Sequence, residues 1–283
     1  MILIADSGGT KTEWGLITSN GSVKKYSCKG LNPYLANQTE FNTSITSGFT
    51  EEERKMVARL FFYTAGGNSD YMNNVIVQYL SPNFPNASIV VQSDIVGAAN
   101  ALFGKKSGYI GLLGTGSGWA WYDGVDIRNK ISGMGYILGD EGSGSDLGKI
   151  LIKDAYRGDM PTHLRNKFVA KYHPPEILIR NLYDAPNKAH YLAKFATFIH
   201  ENLHDDYMYE LVYQRFGLFV SLLTDKNMEP GLSNIGFVGS IAHSFQSVLI
   251  PVLSSKGIRR PNIMKSPLEA LIKYHLNHGQ IYR

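Results

Sequence analysis

The sequence predicts an α/β protein of two lobes, and three observations carry that prediction. Ile2-Leu3-Ile4-Ala5-Asp6-Ser7-Gly8-Gly9-Thr10-Lys11-Thr12-Glu13-Trp14-Gly15-Leu16-Ile17 runs from an apolar stretch through glycines and small polar residues into a second apolar stretch. That is the pattern of a buried strand, a tight turn and a return strand. Gly108-Tyr109-Ile110-Gly111-Leu112-Leu113-Gly114-Thr115-Gly116-Ser117-Gly118-Trp119-Ala120-Trp121-Tyr122 repeats it, with Gly114 standing 106 residues after Gly8. Each copy is followed by a two-residue hairpin signal, Asn20-Gly21 and Asp123-Gly124, and then by a third short strand near residues 23–28 and 125–131. Between the copies, strand-like and helix-like segments alternate, which calls for a sheet with helices packed on it.

Length and composition suit two lobes. The chain has 283 residues, 43% hydrophobic and 18% charged, enough for a sizeable core in each half. Its net charge of +4 is dispersed over pairs such as Lys24-Lys25, Lys105-Lys106 and Arg259-Arg260, so neither nucleic acid nor an acidic membrane surface is implied. Cys28 is the one cysteine, which excludes an intrachain disulfide and a thiolate metal cluster within one chain. The apolar start Met1–Ala5 ends at Asp6, short of a signal peptide's core, and no run of about 18 apolar residues occurs. A cytoplasmic protein is expected.

The first lobe is expected over residues 1–105. After its three strands, Gly30-Leu31-Asn32-Pro33-Tyr34 reads as a loop, in which Asn32 is either a turn former or a donor and acceptor for a ligand. A helix follows near residues 38–47. Thr50-Glu51-Glu52-Glu53 satisfies a capping box and opens a helix expected to reach Arg59. Leu60–Tyr63 reads as a buried strand ending at Thr64-Ala65-Gly66-Gly67, whose small residues are either a simple strand-to-helix turn or a place where a ligand approaches the backbone. A helix near 70–79, a strand at 87–92 and a helix starting at Asp94 complete the lobe. Asp94 ends a strand and begins a helix, so it is either the helix cap or a general base.

The second lobe is expected over residues 106–265. Gly133-Met134-Gly135-Tyr136-Ile137-Leu138-Gly139-Asp140-Glu141-Gly142-Ser143-Gly144-Ser145-Asp146 is the densest polar and glycine stretch, and its adjacent Asp140 and Glu141 carboxylates either suit sugar hydroxyls or belong to a solvated acidic loop that caps the next helix. Leu147, Ile150, Leu151 and Ala155 then mark a core-facing helix. Residues 160–226 read as a helical insertion, with apolar faces at Phe195, Phe198, Ile199 and Leu203 and at Leu211, Val212, Phe219, Val220 and Leu223. His200 and His204 form an i, i+4 pair without a zinc motif and read as surface residues. Leu232–Val238 reads as a strand, Gly239-Ser240 as the entry to a helix near 243–253 whose start suits a nucleotide. Ser266-Pro267-Leu268-Glu269 caps a last helix, residues 266–283, assigned to the first lobe through Leu268, Leu271, Ile272 and Leu276.

Both glycine turns suit an anion. Gly8 and Gly9 can take positive φ and expose backbone N–H groups, Thr10, Lys11 and Thr12 add hydroxyls and charge, and Asp6 at the strand end is placed to reach a hydrated Mg²⁺.

The ordered set Asp6-Ser7-Gly8-Gly9-Thr10-Lys11-Thr12, Ser93-Asp94, Gly114-Thr115-Gly116-Ser117, Gly139-Asp140-Glu141-Gly142-Ser143 and Val238-Gly239-Ser240 resembles the N-acetylglucosamine kinase branch of the acetate and sugar kinase, heat-shock chaperone and actin superfamily, from residue 2 to about 275. The resemblance implies two ribonuclease H-like lobes of duplicated βββαβα core, the actin-like ATPase fold, with an interlobe cleft. It implies ATP and Mg²⁺, with the γ-phosphate passing to the 6-hydroxyl of an amino sugar. Gly8, Gly9, Thr10 and Lys11 would form one phosphate hairpin and Gly114, Thr115, Gly116 and Ser117 the other, while Gly239 and Ser240 would lie by the adenosine. Asp94 would be the base, Asp6 would hold Mg²⁺ through water, and Asn32, Gly66, Thr115, Gly133, Met134, Asp140 and Glu141 would bind the sugar. Met134 stands where the animal kinases carry tryptophan, which leaves N-acetylglucosamine, glucosamine and N-acetylmuramic acid open, as it leaves open a homodimer. The same branch includes activator ATPases of benzoyl-CoA reductase and hydroxyacyl-CoA dehydratase, whose iron-sulfur cluster needs more cysteine than this chain has. A sugar sensor without turnover is the non-enzyme alternative.

Overall fold

The computed structural model describes residues 1–34, 36–67, 69–224 and 234–278. The chain divides into two compact units, one of Met1–Lys106, Asp123–Ile127 and Ser266–Arg283, the other of Ser107–Tyr122 and Arg128–Lys265.

The first unit opens with β1 (Ile2–Ser7), β2 (Lys11–Ile17) and β3 (Val23–Lys29), an antiparallel meander in which Ser7 lies opposite Thr12 and Lys11 opposite Lys29. Then come α1 (Gln38–Gly48), α2 (Glu51–Met56), β4 (Arg59–Thr64), α3 (Asp70–Leu80), β5 (Ser88–Ser93) and α4 (Asp94–Phe103). β4 runs parallel to β1 and β5 parallel to β4, giving the order β3-β2-β1-β4-β5. Strand alternation explains why β1 is apolar from Ile2 to Ala5: Leu3 and Ala5 join Trp14, Leu16, Phe41, Ile45 and Phe62 on one face, and Ile4 joins Ile17 and Tyr63 on the other.

The Thr50 capping box forms as expected, but α2 ends at Met56 and does not reach Arg59. Val57 is buried, and Arg59 pairs with Ile2 as the first residue of β4, so sheet pairing overrides helix propensity there.

The second unit repeats the plan. β6 (Gly108–Leu113), β7 (Ser117–Tyr122) and β8 (Ile127–Ser132) form the meander. A short helical turn α5 (Gly135–Leu138) and helix α6 (Gly144–Arg157) follow, and then the helical insertion of α7 (Thr162–Lys171), α8 (Pro175–Asp184), α9 (Lys188–Ala193), α10 (Ala196–Glu201) and α11 (Asp206–Thr224). β9 (Ile235–Val238) lies parallel to β6, and α12 (Ser240–Ser244), α13 (Gln246–Ser255) and β10 (Asn262–Met264) complete the unit. Its sheet order, β10-β9-β6-β7-β8, is the first unit's order read from the other edge.

Several local expectations change. His200 and His204 do not share a helix turn, because α10 stops at Glu201, and both are exposed. The helix expected near 243–253 breaks at Phe245 into α12 and α13. Leu232 and Ser233, the expected start of β9, lie outside the described residues.

Close backbone approach fixes the insertion against α6. A Cβ at Gly148 of α6 would collide with the Leu192 carbonyl of α9. Gly148→Ala is therefore expected to cost about 1–3 kcal/mol, seen as a lower urea midpoint at unchanged slope.

The last helix, α14 (Leu268–His278), belongs to the first unit, where Leu268, Leu271 and Ile272 pack with Ile4, Ile17 and Tyr63. The Ser266 hydroxyl accepts the Leu268 N–H at 3.3 Å, but Glu269 pairs with Lys25 of β3 instead of closing a capping box. Leu276, expected on the packed face, is exposed. Among the described residues no helix is long and apolar enough to cross a membrane.

Candidate active site

In the first unit the β1–β2 turn is closed by the Gly8 N–H donating to the Lys11 carbonyl at 2.9 Å. Gly8 does not adopt positive φ, contrary to expectation. The space a Cβ there would enter is nearly open, its nearest neighbour the Lys11 carbonyl oxygen at 3.7 Å, so the glycine serves approach to the turn and not its backbone geometry. Lys11 is ion-paired with Glu13 at 2.7 Å. Thr12 is fully buried, its hydroxyl 2.8 Å from that of Ser7, so it cannot offer that hydroxyl to a phosphate.

Both hydroxyls accept the Leu31 N–H, Thr12 at 2.9 Å and Ser7 at 3.2 Å. Gly30 lies directly on the turn: its N–H donates to the Thr10 carbonyl at 3.0 Å, and a Cβ would overlap the Gly8 carbonyl oxygen and sit 2.6 Å from Gly9 C. The loop carrying Asn32 thus rests on the turn backbone. Asn32 forms an Asx turn, its Oδ1 accepting the Tyr34 N–H at 3.0 Å. Gly66 meets this loop, since a Cβ would stand 2.5 Å from Pro33 Cδ and 3.2 Å from Asn32 Oδ1. Asn32 and Gly66 therefore come together.

Asp94 is the first residue of α4, and the cap is Ser93, whose hydroxyl accepts the Val96 N–H at 3.4 Å. Asp94 Oδ1 accepts the N–H of its neighbour Ile95 at 2.9 Å. Burial first, then the Asp94 and Glu13 carboxylates, push the Asp6 carboxyl up to about 7 against a smaller opposing pull from Lys11. Unfolding frees Asp6 from those neighbours. Between about pH 4 and the folded value near 7, the folded state holds a proton that the unfolded state has lost, so stability falls as pH rises through that window and levels off above it. Asp6→Asn is expected to flatten this part of the profile, read from urea midpoints across pH.

In the second unit the Gly114 N–H donates to the Gly116 carbonyl at 3.0 Å, and the start of α6 supports the turn: Gly144 N–H donates to the Gly114 carbonyl at 2.8 Å and Ser145 N–H to the Thr115 carbonyl at 3.1 Å. A Cβ at Gly114 would enter open space. The Ser117 hydroxyl oxygen is buried without a hydrogen-bond partner, the kind of orphan that a bound group satisfies. Gly239, at φ 140°, leaves no room for a Cβ against the Leu113 carbonyl, and its N–H donates to Met264 at 2.9 Å. That amide is spent within the fold. Gly239 and Ser240 begin a helix of five residues, shorter than expected.

Asp140 is buried in the left-handed region, φ 59°, with its N–H on the Gly133 carbonyl at 2.5 Å and its Oδ1 accepting the Ser117 N–H at 3.3 Å. Burial raises its carboxyl above the ordinary carboxylate value against the pull of backbone hydrogen bonds from Ser117 and Gly135. Gly116 and Gly133 both abut this carboxylate, the first with a Cβ position 3.0 Å from Oδ2. Gly133, Thr115's turn and Asp140 are thus one cluster, with Glu141 half-buried beside it and Met134, at φ 62°, exposed.

One support was missed in the sequence. Asp146 is buried, accepts the Gly142 N–H at 3.0 Å, and is held by Arg215 of α11 through Nε at 2.7 Å and Nη2 at 3.0 Å. The pair ties the Gly139–Gly142 loop to α11. The partners stand 69 residues apart, and no local pattern marks Arg215.

No protein-family model and no curated protein sequence matches the chain. Among solved structures, a candidate N-acetylglucosamine kinase from Porphyromonas gingivalis is 33% identical, covers 99% of this chain and 100% of its own, and superposes with a TM-score of 0.90. The chain belongs to the N-acetylglucosamine kinase-like family. Family membership accounts for the duplicated sheet order, and the two mixed sheets make this the two-lobed actin-like ATPase fold. A second candidate N-acetylglucosamine kinase, from Chromobacterium violaceum, is 16% identical over 96% of this chain and 98% of its own, with a TM-score of 0.69. A ROK family glucokinase from Streptomyces griseus, in complex with glucose and AMPPNP, is 13% identical over 99% of both chains at 0.55. These last two share the fold.

Proposed function

We propose that the protein is an ATP-dependent amino-sugar kinase, transferring the γ-phosphate to the 6-hydroxyl of N-acetylglucosamine or a close relative. The observation that carries this reading is the placing of Asp94: Ser93 caps α4, so the cap does not need the Asp94 carboxylate, which stands beside Asp6 at the start of that helix. Membership of a family that includes the 33% identical candidate kinase supports it.

In this reading the Gly8–Lys11 turn of the first unit and the Gly114–Ser117 turn of the second bind ATP phosphates, with Ser117 Oγ taking the hydrogen bond it lacks within the protein. Asn32 and Gly66 in the first unit, and Thr115, Gly133, Met134, Asp140 and Glu141 in the second, recognise the sugar. Gly239 and Ser240 serve the adenosine by shape, since the Gly239 amide is already bonded. Asp94 accepts the proton of the sugar hydroxyl as its oxygen attacks phosphorus.

The neighbouring Asp6 and Asp94 carboxylates are hard oxygen donors whose mutual repulsion a divalent cation would relieve, and they fit Mg²⁺. Asp6 would hold it, through water. Bound there, the ion supplies charge neutralisation at the polyphosphate. Among the described residues no group of three or more His, Cys, Asp or Glu could hold a metal.

The deciding experiment is ATP turnover with Mg²⁺ against glucose, glucosamine, N-acetylglucosamine and N-acetylmuramic acid, with product masses determined. Sugar-dependent formation of a 6-phosphate is expected. ATP binding with no sugar-stimulated turnover would replace the kinase reading with a sugar sensor.

A further inference from the structure

The Ser7–Thr12 hydroxyl pair is fully buried, yet it lies at the junction of two loops with different tasks. Ser7 ends β1 and Thr12 lies in β2, so the two flank the glycine turn assigned to phosphate. Their shared acceptor role is toward one donor, the Leu31 N–H, and Leu31 immediately precedes Asn32, assigned to the sugar. Gly30 adds a second junction, because its N–H is bonded to Thr10 and a Cβ there would strike the turn backbone. At Gly30 the two loops meet backbone to backbone. The two residues that flank the turn are thus joined to each other and to the Leu31 amide by hydrogen bonds of 2.8–3.2 Å.

We propose, resting on the kinase reading above, that Ser7 and Thr12 are positioning residues which couple the phosphate turn to the Asn32 loop, so that nucleotide and sugar strengthen each other's binding. The physical basis is ordering. A nucleotide that fixes the turn also fixes the hydroxyl pair and the Leu31 amide, and a sugar arriving afterwards meets Asn32 already placed. Linkage makes the effect reciprocal, so sugar must strengthen nucleotide binding by the same factor.

The test is calorimetric. Dissociation constants are measured for the sugar that supports turnover, with and without AMPPNP and Mg²⁺, on the native protein, Thr12→Val and Thr12→Ser. The native protein is expected to bind the sugar about fivefold or more tightly when AMPPNP is present, the lower end of ordinary coupling. Thr12→Val preserves shape but removes the hydroxyl, and is expected to bring that factor close to one; Thr12→Ser restores the hydroxyl and is expected to restore the factor. A merely structural role for Thr12 would weaken each binding step and leave the ratio unchanged. A native ratio of one, or a Thr12→Val ratio equal to the native one, overturns the proposal while leaving the kinase reading in place. Native protein that binds neither AMPPNP nor any sugar of the panel overturns both. Should Thr12→Val fail to fold, Ser7→Ala is judged by the same ratio.

Discussion

Asp94→Asn is expected to lower kcat by at least about a hundredfold at saturating sugar, the usual worth of a positioned general base. The substitution keeps size and shape, and Asn at the first position of α4 can still accept the Ile95 N–H through its amide oxygen, so the helix start survives with Ser93 as its cap. What disappears is the capacity to hold the proton of the sugar hydroxyl. ATP affinity is expected to stay within about threefold, because an interaction made only in the transition state leaves ground-state binding unchanged. Loss of the Asp94 charge should also bring the Asp6 carboxyl down from about 7, since Asp94 is the second cause of that rise after burial. The measurement is a steady-state rate with an independent nucleotide titration. Near-native turnover would strip Asp94 of its role as base.

The residues explain why this much was readable in the chain and why some was not. The duplicated meander was legible because its marks are local: each strand carries its own apolar run, and each turn its own glycines. The two sheets, ordered alike, bear that out. Asp94 was left between two roles, because a cap and a base demand the same residue type at the same helix start; only the hydroxyl of Ser93 decides which residue caps. Thr12 misled for a related reason. Beside glycines and a lysine a threonine reads as a phosphate ligand, yet strand alternation turns it inward, opposite Ser7, and buries it. Leu276 fits the apolar stripe of α14 but stands on the exposed side of the helix. Partnerships across long sequence distances, such as Tyr63 with His275 at 2.9 Å or Asp146 with Arg215, leave no periodic trace at all.

The Asp146–Arg215 pair yields the largest expected change in stability. Arg215→Met is expected to cost about 3–5 kcal/mol, because it removes from a buried carboxylate the guanidinium that hydrogen-bonds both its oxygens. The Asp146 side chain is only 2% exposed, so water cannot replace the guanidinium, while the methionine stem retains much of the apolar packing. Lys149 lies 3.8 Å from Asp146 Oδ1, too far to replace two hydrogen bonds at 2.7 and 3.0 Å. The double variant Asp146→Asn with Arg215→Met should recover part of the loss, since the buried charge is gone and the Asn amide oxygen can still accept the Gly142 N–H. Urea unfolding of the single and double variants measures this directly. If Arg215→Met costs no more than the double variant, the penalty lies in lost packing and not in the stranded charge. Arg215 would then hold α11 in place without fixing the Gly139–Gly142 loop through Asp146.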